Sequence, residues 1–468
     1  MKAVYNIITI CTLLLYSITP AYSQLQLPSV FSDHMVLQRE SQANIWGWAN
    51  AGNEVQITST WSVDTIRVKA DGNGKWKTTL PTHQAGGPYE LQIATADKKI
   101  ILKDILLGDV FLCSGQSNME WGGNQNLKEI LDELPKAKND HIRLLQVNRI
   151  ASATPQDNIL NSWQTLSAES LKPFSAIGYF IAKNLNQTLH IPIGIINASW
   201  GGTGAEVWTP KELIQADKEL ADNARMQTAN HYRPHEVGVL WNSMIAPLRE
   251  FNLKGFFWYQ GESNVGSWSG YDKLMKTLIG SWRQAWRQEL PFYFVQIAPF
   301  EYNNKHAPLA ALLREQQCKT ALEVPRTGMV VVTDLVDNIK DIHPTQKKEV
   351  AHRLITMALQ DIYQHNRKEL LRSPIYKNHN VVKDKIEIEF HHLDGKLKIK
   401  GKEITDLYIA GSNKVFHPAK GEVKGNKLIV YAREVSAPVA VRFGFTETAM
   451  PNLFNQYGLP VSPFRTDN

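Results

Sequence analysis

Residues 109–121 read DVFLCSGQSNMEW. Asp109–Cys113 is an apolar run suited to a buried strand, and a small polar cluster centred on Ser117 follows it at once. In open α/β sheets, ligands gather at the carboxyl ends of strands. The reading of this stretch therefore depends on whether its neighbours alternate strand with helix.

They do. Leu127–Leu134 has a helical pattern, His141–Val147 that of a strand, and Ser175–Leu189 that of a helix. Ile191–Ala198 and Leu253–Gln260 read as strands, Leu274–Arg287 as a helix, and Pro291–Ile297 and Gly328–Asp334 as strands. A last helix starts after Pro344, with apolar residues at Val350, Leu354, Met357, Ala358 and Ile362. This alternation argues for a mainly parallel sheet covered on both faces, assigned to residues 106–372.

The rhythm differs on either side. Residues 24–105 hold short alternating runs at Ala43–Ala49, Glu54–Thr58, Thr65–Ala70, Lys75–Leu80 and Glu90–Ala94, with a turn at Asp71-Gly72-Asn73-Gly74. Their spacing of about ten residues suggests a small β-sandwich. Residues 373–468 return to strands at Lys385–Phe390, Lys396–Ile399, Lys427–Tyr431 and Val439–Phe445, with a hairpin turn at Asp394-Gly395. The two β-regions are compatible with separate modules or with one joint sandwich.

Residues 1–23 have the layout of a cleaved export signal. Lys2 gives a positive start, Ile7–Ile18 is apolar, and Ala21-Tyr22-Ser23 is a small-x-small cleavage site that places the mature start near Gln24. No later run approaches the roughly 18 apolar residues of a spanning helix. Cys11 lacks the preceding small residue of a lipoprotein anchor. The expected product is exported, periplasmic or extracellular, without a membrane span. Its formal charge of +6 falls to +5 without Lys2, and the basic residues are scattered among acidic ones, so no nucleic-acid partner is implied. Cys113 and Cys318 are expected as free thiols. Oligomeric state is not legible.

Four polar segments fall in the α/β region, three at strand ends and the fourth opening the last helix. They are Ser114-Gly115-Gln116-Ser117-Asn118, Ser199-Trp200-Gly201-Gly202-Thr203-Gly204, Gln260-Gly261-Glu262-Ser263-Asn264 and Asp341-Ile342-His343-Pro344. Acyl transfer by serine needs a base, a partner that orients the base, and donors for the oxyanion. His343, near Asp341, suits the base, and the glycines can present bare N–H groups. Each segment alone has an ordinary reading: a turn, or a helix cap with a surface His. Four together at one rim weigh more. His231 and His235 bracket a Pro and are not a helical metal pair, so no metal is implied. Ser263 echoes Ser117, and spacing alone does not choose between them.

At these residues the chain resembles the SGNH hydrolases, specifically the sialate O-acetylesterase family. FSDHMVLQR, GQSNMEW, NASWGGT, WYQGESN, DIHP and GLPVSPFRTD stand in this order across nearly the whole mature chain. The resemblance implies a three-layer, flavodoxin-like α/β domain flanked by N- and C-terminal β-sandwich-like regions. It implies a serine esterase that removes O-acetyl groups from carbohydrate, with O-acetylated sialic acids expected first and acetylxylan second, and with no cofactor. Ser117 would be the nucleophile, His343 the base, and Gly201 or Gly202 an oxyanion donor beside the Ser117 N–H. The general pattern puts the acid three residues before the His, but position 340 is Lys; Asp341 is the expected third member and Asp337 the alternative. The third segment also departs from the usual Gly-x-Asn-Asp, so the side-chain oxyanion donor is expected at Gln260, with Asn264 as the alternative. Arg314 is the expected cation for a sugar carboxylate, and Glu262 and Ser263 are expected at the rim. A non-catalytic glycan-binding protein is the reading of another class, and the intact Ser117, Asp341 and His343 argue against it. No Gly-x-Ser-x-Gly elbow supports a lipase.

Overall fold

The strand carrying the opening stretch is longer than its sequence pattern. In the computed structural model, which describes residues 24–302, 308–365 and 371–467, it spans Lys99–Gly115. The signal read at residues 1–23 lies outside the described residues. The first part of the strand pairs antiparallel with Gly86–Ala94 of the N-terminal β-region. Its last part pairs parallel with Ile193–Ser199 on one side and Gly255–Tyr259 on the other. Burial changes along it accordingly: Lys99–Asp104 is mostly exposed or half-buried, and Ile105–Gly115 is buried throughout. An antiparallel strand can face water on one side, whereas a central parallel strand is covered on both. The change of rhythm in the sequence is a change of environment along one continuous strand.

The sheet runs in the order Thr327–Val330, Phe292–Val295, Gly255–Tyr259, Lys99–Gly115, Ile193–Ser199, Asn139–Gln146 and Gln164–Leu166. These neighbours are parallel except for the last, antiparallel edge strand. Side chains alternate between faces, as the pleat requires. Phe111 and Cys113 join the layer that holds helices Ala176–Leu189 and Lys347–Tyr363, with Ile177, Ile181, Val350 and Leu354 in it. Val110 and Leu112 join the opposite layer with Leu278, Trp282, Ala310 and Leu313 of helices Tyr271–Trp286 and Leu309–Glu323. The expected mainly parallel α/β sheet with helices on both faces is present.

Two local differences have physical causes. The helix expected over 127–134 is broken into Lys128–Leu131 and a 3-10 turn at Leu134–Lys136, where Pro135 cannot continue the hydrogen-bond ladder. The helix Leu309–Glu323 has no apolar stripe to betray it, because Arg314, Gln316, Gln317 and Thr320 are among its buried residues.

The N-terminal strands share their core with the α/β domain: Ile45, Val55, Ile57 and Trp76 belong to one apolar cluster with Leu112 and Trp258. The C-terminal strands form two four-stranded sheets and one two-stranded sheet around a core of their own, with Ile386, Ile388, Ile409, Val430, Val441 and Phe443. Among the described residues the two β-regions share no sheet. Cys113 and Cys318 are buried free thiols, and no helix among the described residues is long and apolar enough to cross a membrane.

Gly115 closes the central strand at φ +132°, and a Cβ there would lie 2.2 Å from the Tyr259 carbonyl oxygen. Gly115→Ala is expected to destabilise the protein by ~2 kcal/mol or more in denaturant unfolding, because both conformation and space oppose a side chain. Gly280→Ala, where nothing lies within 4 Å, should be neutral or slightly stabilising.

Candidate active site

At Gly115 the chain leaves the sheet and starts the single helical turn Ser117–Glu120. The Gln116 N–H donates to the Tyr259 carbonyl at 3.0 Å, and the Gln116 carbonyl accepts from Met119 and Glu120. Ser117 is thus fixed at the start of a turn whose first N–H groups have no intrahelical acceptor. From the far end of the domain comes His343, whose Nε2 lies 2.9 Å from Ser117 Oγ.

Three contacts fix the imidazole. Its backbone N–H donates to Asp341 Oδ1 at 2.9 Å, and its Nδ1 lies 3.4 Å from the same oxygen, an ion-pair distance. Trp121 stacks on the ring with centroids 3.7 Å apart and planes at 20°. Asp337 faces the other way, accepting from the Thr345 N–H and hydroxyl and from Gln346, so it shapes the loop and does not meet His343. Of the two candidate acids, Asp341 is the one placed at the base.

Beneath the nucleophile is a buried polar chain. Lys347 Nζ donates to Asn118 Oδ1 at 2.6 Å, and Asn118 Nδ2 donates to Glu262 Oε1 at 2.6 Å and to the Ile342 carbonyl at 3.0 Å. Burial lowers Lys347 to about 8 against the pull of Glu262, Glu129, Asp341 and Asp337. Burial also raises the Glu262 carboxyl. His343 is held below its ordinary value, first by burial and second by the Lys347 cation, with Asp341 opposing. A neutral imidazole with its Nδ1–H toward Asp341 presents a lone pair at Nε2 to the Ser117 hydroxyl. Glu262, expected at the rim, is here a buried member of this chain.

The Gly-rich loop comes close to Ser117: a Cβ on Gly201 would lie 3.3 Å from Ser117 Cβ. The Gly201 N–H donates to Glu120 Oε2, and Arg149 Nη1 donates to the other oxygen of Glu120 at 2.6 Å. Gly202 sits at φ +72°, and among the described residues no acceptor meets its N–H. The Ser117 N–H likewise meets no acceptor among the described residues, so both it and the Gly202 N–H are uncommitted.

The expected side-chain donors are turned inward. Gln260 Nε2 donates to the Thr203 carbonyl at 3.1 Å and to Asn264 Oδ1 at 2.7 Å, while its Oε1 accepts from the Tyr271 hydroxyl. Asn264 Oδ1 also accepts the Ala205 N–H, and its Nδ2 donates to buried Glu206. Both amides brace the loop from below and have no donor left for an oxyanion.

Arg314 is likewise displaced from its expected role. Its guanidinium is fully buried and donates to the carbonyls of Ile297, Ala298, Thr446 and Glu447. Burial lowers it to about 10. It cannot reach a sugar. Sequence reading assigned no role to Trp121, Glu120 and Asn118, which lie inside the quoted stretch, or to Lys347, in the helix expected after Pro344. It also passed over Arg233, next to the discounted His231. Ser263 Oγ accepts from Arg233 at 3.2 Å, and among the described residues it makes no hydrogen bond to His343, whose Nε2 meets Ser117. Among the described residues, no cluster of three or more His, Cys, Asp or Glu could hold a metal ion.

Residues 107–360 match the family model described as carbohydrate esterase, sialic acid-specific acetylesterase. The sialate O-acetylesterase of Mus musculus is 30% identical over 385 residues, covering 70% of this chain and 71% of that protein. The Homo sapiens sialate O-acetylesterase is 30% identical over 360 residues, covering 70% and 69%. Among solved structures, a carbohydrate acetylesterase from Xanthomonas citri superimposes with a TM-score of 0.87 at 34% identity, covering 95% of this chain and 100% of that one.

The electrostatics generate a pH test. A base acts when neutral, so turnover should rise with pH through the His343 titration and level off above it. The Lys347 cation disfavours the imidazolium and so extends activity toward acid. In Lys347→Met that repulsion is gone, and the acid limb of kcat/KM for an aryl acetate is expected to move to higher pH. A limb that stays put or moves to lower pH would rule out this coupling.

Proposed function

The chain belongs to the sialic acid-specific acetylesterase family of carbohydrate esterases and is a carboxylic ester hydrolase, and on that premise we propose that it removes O-acetyl groups from O-acetylated sialic acids. The observation that carries the mechanism is the 2.9 Å contact between His343 Nε2 and Ser117 Oγ.

Ser117 Oγ attacks the acetyl carbonyl carbon as His343 Nε2 takes its proton. Asp341 and the Trp121 ring hold the imidazole in place, and Asp341 offsets the charge it gains. The negative charge on the former carbonyl oxygen is received by the Ser117 and Gly202 N–H groups, each such donor being worth about 10²–10³ in rate. His343 then passes its proton to the departing sugar oxygen, leaving an acetyl-Ser117 ester. Water attacks that ester while His343 accepts a proton from it. The proton returns to Ser117 Oγ as acetate leaves.

A second reading, release of acetate from another glycan such as acetylated xylan, is favoured by the Xanthomonas citri relative, which is described only as a carbohydrate acetylesterase. We also propose that residues 1–23 direct export, supported by their charge and hydropathy pattern. Mass spectrometry of the exported protein should then find Gln24 at its N-terminus, and a retained Met1 would exclude cleavage.

Acetate release by purified protein from an O-acetylated sialoglycoprotein and from acetylated xylan, measured side by side, decides between the two substrates. Ser117→Ala is expected to lower turnover on the preferred one by about 10⁴-fold or more with an unchanged melting curve. Activity that survives Ser117→Ala and disappears with Ser263→Ala would assign the nucleophile to the other serine.

A further inference from the structure

An acidic sugar leaves its carboxylate somewhere in the site, and with Arg314 buried the cation that meets it must come from elsewhere. Three basic side chains surround Ser117. Lys347 is buried beneath it and bonded to Asn118. Arg149 is already paired with Glu120. Arg233 is different. Its two hydrogen bonds go to neutral acceptors, the Gly202 carbonyl and Ser263 Oγ, and among the described residues no carboxylate forms an ion pair with it.

Its geometry suits an incoming carboxylate. Both bonds use Nη1, which leaves the Nε–Nη2 edge of the guanidinium uncommitted. Two parallel N–H groups on one edge match the two oxygens of a carboxylate. The side chain lies on the oxyanion loop itself: a Cβ on Gly202 would sit 2.9 Å from Arg233 Cδ, and the neighbouring Gly201 faces Ser117. The segment is pinned there a second time, since Trp200 Nε1 donates to the Tyr232 carbonyl at 3.3 Å. Trp200 is half-buried and Tyr232 is exposed, so aromatic surface flanks the cation.

We propose that Arg233 receives the carboxylate of the substrate and so makes the site selective for acidic O-acetyl sugars over neutral ones. The inference rests on the sialate reading of the function. Arg233 bridges the Gly202 loop and the Ser263 segment, so an anion held on its free edge lies beside the oxyanion loop.

The test uses three esters that transfer the same acetyl group, a free O-acetylated sialic acid, its C1 methyl ester and 4-nitrophenyl acetate, with acetylated xylan as a neutral-glycan control. The wild-type protein should prefer the free acid to the methyl ester. In Arg233→Gln that preference should fall about 10- to 100-fold, mostly through KM, as expected for the loss of a charge-assisted pair. Arg233→Lys, which keeps the charge and loses the fork, should retain part of it. Equal losses on all three esters would place Arg233 at the oxyanion and overturn the proposal alone. Turnover of 4-nitrophenyl acetate and acetylated xylan without turnover of the free acid would overturn the proposal together with the sialate reading.

Discussion

An ammonium group cannot stay charged inside a protein without partners, and the site is arranged around one that does. Lys347 is buried at the start of a long helix, directly under the nucleophile's turn. Its hydrogen bond to Asn118, and through Asn118 the bond to Glu262, draws three distant stretches of chain to one point. Taking away the Asn118 acceptor would leave a buried ammonium unsatisfied, which costs far more than the hydrogen bond itself contributes. That asymmetry fixes the spacing between the first strand end, the third strand end and the last helix. His343 lies four residues before Lys347, so fixing the helix start also sets the distance from His343 to Ser117.

A second buried layer supports the Gly-rich loop. Glu206, Asn264, Gln260 and Tyr271 form a chain of hydrogen bonds whose outermost members hold the Thr203 carbonyl and the Ala205 N–H. The loop between these residues and Ser117 is therefore built onto a rigid floor. Donors aimed in advance at a developing charge need no reorganisation when it appears, which is the source of their effect on rate.

The sheet and the polar segments at its rim were legible because each rests on a local pattern: apolar runs, strand-end glycines, and a carboxylate two residues from an imidazole. The choice of Ser117 over Ser263 came only from the family resemblance, since spacing did not make it. The roles expected of Gln260, Glu262 and Arg314 were not legible, for one shared reason. Residue type says what a side chain can donate or accept, whereas burial decides to whom, and burial of a polar residue leaves no periodic trace. The helix holding Arg314 shows this most clearly, since its buried face mixes Arg314, Gln316, Gln317 and Thr320 with Ala310 and Leu313, and Arg314 meets backbone carbonyls there. Arg233 was hidden differently: it lies in a stretch without regular pattern, and only folding brings it beside Gly202.

Arg314 has a consequence beyond the site. Its guanidinium donates to two carbonyls of the α/β region, Ile297 and Ala298, and to two near the end of the chain, Thr446 and Glu447. Arg465 pairs with Glu315 of the same helix, and Ser462 meets Gln296 and Cys318. If the terminal module melted first, a buried guanidinium would lose half its acceptors, so neither part gains by opening alone. The C-terminal strands, with an apolar cluster of their own, are in this way tied to the α/β sheet by buried polar contacts.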